Sequence, residues 1–183
     1  MLLSSSKKFI YIHVDRTGGT TFSRAFKSYT RFQWSHRFHS MCLRMFGEHA
    51  GIHLLKEQTA LELRGKLDSS IWSEYYKFAM IRNPFDWMVS NYSYIRQYDS
   101  ASHHDLIKNM TFPEFVEWRL GSAWLDIDPL GLNRGLSAWF TDENGNVIVD
   151  HVGRFEDFNK EFNDVCKRLG VSLDIPHLNK SNF

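Results

Sequence analysis

Residues 9–14 (FIYIHV) form a short apolar run rich in β-forming residues that stops at Asp15-Arg16-Thr17-Gly18-Gly19-Thr20-Thr21. Directly after it, Phe22, Ala25, Phe26 and Tyr29 recur at helical spacing. A strand with no polar alternation is a buried one, of the kind found inside a mostly parallel sheet. The turn that follows points backbone N–H groups at one spot, and the helix dipole adds partial positive charge there. Gly18 and Gly19 permit close approach and unusual φ values. Thr17, Thr20 and Thr21 add hydroxyls, and Arg16 adds a forked cation. Such a corner suits a phosphate, although an ordinary strand–turn–helix corner has the same outline. It lacks the first glycine and the lysine of G-x-x-x-x-G-K-[ST], so the magnesium chemistry of that loop has no support here.

A second stretch repeats the pattern. Residues 75–81 (YYKFAMI) read as another buried strand with Arg82 at its tip. Asn83 is a good N-cap and Pro84 fits the first helical position, which predicts a helix over 84–97 with Trp87, Met88, Tyr92 and Ile95 on one stripe. Ser90 lies about two turns into it. Arg82, folded back, would share one phosphate with the Ser90 hydroxyl; a capped helix with a surface Arg and Ser is the plainer alternative. Helices are also predicted over 57–67, 112–120 and 155–169, the last ended by Gly170. Glu143-Asn144-Gly145-Asn146 marks a hairpin turn within 141–149. Strands alternating with helices predict an α/β domain.

With 183 residues, 43% of them hydrophobic, the chain suits a single domain spanning 1–183 with a substantial core. A net charge of +1 supplies no overall basic field for nucleic acid. Two cysteines, Cys42 and Cys166, set no disulfide framework, so a reducing, cytoplasmic compartment is the expectation. No apolar run is long enough to span a bilayer, and residues 1–8 are too short and polar for a signal peptide. Residues 31–53 set Arg31, Arg37, Arg44 and four histidines (His36, His39, His49 and His53) among Phe32, Trp34, Phe38 and Phe46. Cations among aromatic faces suit an acidic sugar. A loop packed by its own aromatics would look the same.

Taken together and in order, four stretches resemble the sulfotransferases that use 3′-phosphoadenosine 5′-phosphosulfate (PAPS), especially their carbohydrate-type branch. Asp15 to Thr21 is similar to that family's K-T-G-G-T-S loop. Ile81-Arg82-Asn83-Pro84 through Ser90 is similar to V-R-N-P-x-x-R-x-x-S. Val152-Gly153-Arg154-Phe155-Glu156 and Pro176-His177-Leu178-Asn179-Lys180-Ser181 follow. The resemblance implies a P-loop-type three-layer fold with a mostly parallel central sheet flanked by helices. It implies that Arg16, Thr17, Gly18, Gly19, Thr20 and Thr21 hold the 5′-phosphosulfate. Arg82 and Ser90 would hold the 3′-phosphate, with Arg154 near the nucleotide and Lys180 and Ser181 closing over it.

The implied reaction moves a sulfuryl group to a hydroxyl or amine, with a glycan or small alcohol as acceptor, PAP as product and no metal. Arg16 stands where the family usually has Lys; it keeps the charge role but is a poor proton donor. Lys56-Glu57-Gln58-Thr59-Ala60 is similar to the family's K-H-A-T-A, which puts Glu57 in the place of a candidate general base. His53 lies one helical turn earlier, and His49 is third. His49 and His53 also have a metal-compatible spacing, but HAGIH lacks the glutamate of H-E-x-x-H. Two other functions compete: a catalytically weak nucleotide- or glycan-binding protein of the same fold, and a P-loop small-molecule kinase, which would need magnesium and a loop lysine.

Overall fold

The computed structural model describes residues 1–30, 58–101, 103–122 and 135–176. Its centre is a four-stranded sheet in the order β1 (Leu2–Ser4), β2 (Phe9–Ile12), β3 (Tyr76–Ile81), β4 (His151–Arg154). β1 runs antiparallel to β2, with Leu2 opposite Tyr11 and Ser4 opposite Phe9. β2, β3 and β4 are mutually parallel, with Ile12 opposite Ala79 and Ile81 opposite Arg154. All four residues of β2 are buried, as its unbroken apolar run requires.

Alternation along the strands sends side chains to two cores. Phe9, Tyr11, Phe78 and Met80 pack with Phe22 of α1 (Gly19–Ala25), with Phe26 just beyond it, and with Phe162, Val165 and Cys166 of α7 (Phe158–Leu169). Ile10, Ile12 and Ala79 pack on the opposite face with Ala60 and Leu63 of α2 (Ala60–Lys66) and with Trp139 of a 3-10 turn at Leu136–Trp139. Ile71 and Trp72 of α3 (Ser69–Glu74) cover the rim of that second core. The expected α/β sheet with helices on both faces is therefore present, with one antiparallel edge strand added.

A satellite cluster joins α4 (Pro84–Gln97), α5 (His104–Ile107) and α6 (Phe112–Ser122) through Ile95, Ile107 and Phe115. The helix predicted over 84–97 matches α4 residue for residue. Its buried side chains are Trp87, Ser90, Asn91 and Ile95; Met88 and Tyr92, placed on the predicted stripe, are only partly buried in the satellite cluster.

The helix predicted from residue 57 starts later. Thr59 caps α2 by accepting from the Glu62 amide while the Glu62 carboxylate accepts from the Thr59 amide, so the first helical residue is Ala60. The helix predicted over 155–169 divides into a 3-10 turn at Phe155–Asp157 and α7, which ends at Gly170 with φ 61°. The expected hairpin turn lies between Thr141 and Val147, which form an antiparallel bridge. No helix among the described residues is long and apolar enough to cross a membrane.

Candidate functional site

Because β2, β3 and β4 are parallel, their carboxyl ends share one edge of the sheet. Arg16 follows the end of β2, Arg82 follows Ile81 at the end of β3, and Arg154 is the last residue of β4. Register fixes this gathering: Ile81 lies opposite Arg154. Crevices at the carboxyl ends of parallel strands are where open α/β sheets receive ligands.

The first loop is built tightly. Gly18 caps α1 at φ 84°, a left-handed conformation that costs a side chain-bearing residue energy, and Phe158 and Phe155 crowd the place its Cβ would take. Gly19 has no such φ, contrary to the expectation for both glycines. It is glycine because the buried His13 imidazole occupies the space a Cβ would need. Thr17 is fully buried and its hydroxyl donates to the Val14 carbonyl at 2.7 Å, so that hydroxyl staples the turn instead of facing a ligand. Thr20 is exposed and Thr21 half-buried at the start of α1. The Gly18 carbonyl accepts from the amides of Thr21 and Phe22, which starts the helix.

Arg16 is the most constrained of the three cations. Its backbone is left-handed at φ 61°. Its Nε donates to the Ser90 hydroxyl at 3.2 Å, and its guanidinium carbon sits 4.4 Å from the centre of the Tyr94 ring. Burial lowers its pKa; the Tyr94 and Asp15 side chains oppose that shift, and the nearby Arg82 cation adds to it. The Trp87 indole donates to the Asp15 carbonyl at 2.8 Å. Trp87, Ser90 and Tyr94 lie three or four residues apart on α4, so one helical face holds the Asp15–Arg16 peptide and side chain.

At the second loop Asn83 caps α4 as expected, its Oδ1 accepting from the Phe85 amide at 2.9 Å. Arg82 stacks on Phe155, with 4.9 Å from guanidinium carbon to ring centre. The Ser90 hydroxyl, expected to share a phosphate with Arg82, accepts from Arg16 Nε. Glu156 accepts from the Asn83 amide at 2.5 Å, tying the end of β4 to the start of α4. Burial alone would raise its carboxyl, but that amide, its own backbone N–H, Arg154 and Arg82 outweigh the effect and hold it below the ordinary carboxylate range. Arg154 also lies 3.8 Å from Glu156 and its side chain is largely exposed.

Glu57, His53 and His49, the candidate bases, lie outside the described residues, as do residues 31–53 as a whole and Lys180 and Ser181. Gln58, next to Glu57, is buried, and among the described residues both ends of its side-chain amide are unpaired. Sequence reasoning passed over His13, Trp87 as an anchor for the loop, and Tyr94. The only sequence signal for the last two was their spacing with Ser90 along one helix. Among the described residues, no three His, Cys, Asp or Glu side chains come together as a metal site.

A family model described as the sulfotransferase family matches residues 1–182. An uncharacterized protein of Archaeoglobus fulgidus is 29% identical over 115 residues, which is 62% of this chain and 82% of that protein. No solved structure gives a significant match.

Proposed function

The chain belongs to the sulfotransferase family, and we propose that it moves a sulfuryl group from PAPS to a hydroxyl or amine of an acceptor, a carbohydrate in the first instance. The observation that carries this reading is the meeting of Arg16, Arg82 and Arg154 at one carboxyl edge. PAPS bears anionic groups at two separate places on its ribose, and separated cations at one edge suit it better than a single phosphate pocket would.

In this reading the loop from Arg16 to Thr21 receives the 5′-phosphosulfate. Arg16 supplies charge there. Arg82 takes the 3′-phosphate. Ser90 uses a lone pair on Arg16 and keeps its own hydroxyl hydrogen to donate to phosphate. Arg154, largely exposed beside Glu156, adds charge near the nucleotide in this reading. The acceptor heteroatom attacks sulfur and loses its proton to a general base, for which Glu57 and His53 are the candidates. The bond from sulfur to the bridging oxygen breaks, PAP leaves, and Arg16 meets the negative charge that develops on that oxygen. The fold is then of P-loop type in its use of the first loop, without the loop lysine that nucleotide kinases need.

Thermal-shift titration with PAP, 5′-AMP and Mg-ATP, on wild type and Arg82→Ala, tests the proposal. A ligand bound only by the folded state raises stability, by about 2.7 kcal/mol at roughly a hundred times its Kd. PAP should stabilise far more than 5′-AMP, and Arg82→Ala should erase the difference. If Mg-ATP equals or exceeds PAP on wild type, the sulfotransferase assignment of this site is wrong and a kinase takes its place.

A further inference from the structure

We infer that Tyr94 is a positioning residue: its ring, together with Ser90 one turn earlier on α4, presets the Arg16 guanidinium toward the 5′ end of the donor. The inference rests on the donor site proposed above.

Several observations converge on Tyr94. Arg16 occupies a left-handed backbone conformation that a residue other than glycine adopts at a cost. Such a conformation is kept only where the surroundings fix it. Here the surroundings are one helical face: the Trp87 indole on the Asp15 carbonyl, the Ser90 hydroxyl on Nε, and the Tyr94 ring under the guanidinium carbon at 4.4 Å. Tyr94 is itself braced, since its ring lies 4.8 Å from that of Tyr98 one turn further on. It is not a core residue: 37% of it is exposed. An aromatic ring left open to solvent at this place does little for the cores and much for the cation above it.

The chemical consequence follows from guanidinium geometry. Nε is committed to Ser90, and the ring holds the plane of the group. Among the described residues Arg16 makes no other hydrogen bond, so the terminal Nη donors are left in one fixed direction for an anion. A lysine could not use the same support, because an ammonium has no plane to stack and no Nε to anchor. Side-chain freedom that is already lost before the ligand arrives is not lost again on binding.

The test is calorimetric binding of PAP and of adenosine 3′-monophosphate, which lacks the 5′-phosphate, to wild type, Tyr94→Leu, Tyr94→Phe, Arg16→Lys and the Tyr94→Leu/Arg16→Lys double variant. The expected result is selective. Tyr94→Leu weakens PAP about tenfold, the size of a partly desolvated cation–π contact, and leaves the 3′-monophosphate unchanged. Tyr94→Phe, which keeps the ring, binds PAP like wild type. Arg16→Lys loses at least as much as Tyr94→Leu, and the double variant is no worse than Arg16→Lys alone. A merely structural role would lower both nucleotides and the melting temperature together.

If wild type favours PAP over the 3′-monophosphate and Tyr94→Leu keeps that whole preference, the positioning role is wrong and the donor site stands. Additive losses in the double variant overturn it equally. If wild type has no preference for PAP at all, the donor site itself fails.

Discussion

The ring of His13 sits where a side chain at Gly19 would have to go. Gly18 is glycine for another reason, its left-handed φ. The sequence shows two adjacent glycines and cannot distinguish them, because His13 is brought beneath Gly19 only once the turn has closed. Gly19→Ala should cost about 1–3 kcal/mol through overpacking. Combining it with His13→Ala should cost less than the sum of the two single losses. Urea unfolding of the four proteins in that cycle measures this, and strict additivity would refute the packing account. Arg16 and Ser90 show the same limit on what can be read from sequence. Both were legible as phosphate-binding residue types, but their mutual hydrogen bond spans 74 positions and no local pattern encodes it.

Elements were legible where local chemistry is explicit and obscure where it is not. The start of α4 is set by Asn83 and Pro84, which cap and open a helix by mechanisms that need no tertiary partner. β4 has no such mark. Its residues are His151-Val152-Gly153-Arg154, and a glycine inside four residues argues against a strand. Packing supplies the reason: a Cβ at Gly153 would meet Met80 Sδ and the Glu161 carboxylate, which also bonds His151 at 2.8 Å. β1, with three residues, is too short to show a period.

The link between β4 and α4 carries a pH signature. Glu156 has a folded pKa below its unfolded value. The stability it adds is therefore complete above the ordinary carboxylate pKa, about 4.3, and is lost as the pH falls through the lower folded value. Since Glu156 is partly exposed, about 1 kcal/mol is the expected size. Denaturant unfolding of wild type and Glu156→Gln from neutral pH down to about pH 3 should show the gap between them closing only on the acid side. A gap that persists below that range would assign the effect to something other than the carboxylate.

At the scale of the whole molecule, charge is nearly balanced, at +1, yet three arginines follow or end adjacent parallel strands. Bulk charge and local field are thus separate quantities here, and composition reports only the first. PAP binding should weaken about tenfold between 0.05 and 0.5 M salt, because exposed charges are screened over a few ångströms at the upper end. Adenosine, which is uncharged, should bind equally at both. Isothermal titration at the two salt concentrations decides it, and a salt-independent PAP affinity would remove the arginine edge from the binding account. The way α4 holds the first loop has a consequence for engineering. Asp15 and Arg16 take their shape from Trp87, Ser90 and Tyr94, so the loop is not a portable module. Grafted onto another strand without this helix, its residues would be transplanted and its geometry left behind; the unit to move is the loop and helix as a pair.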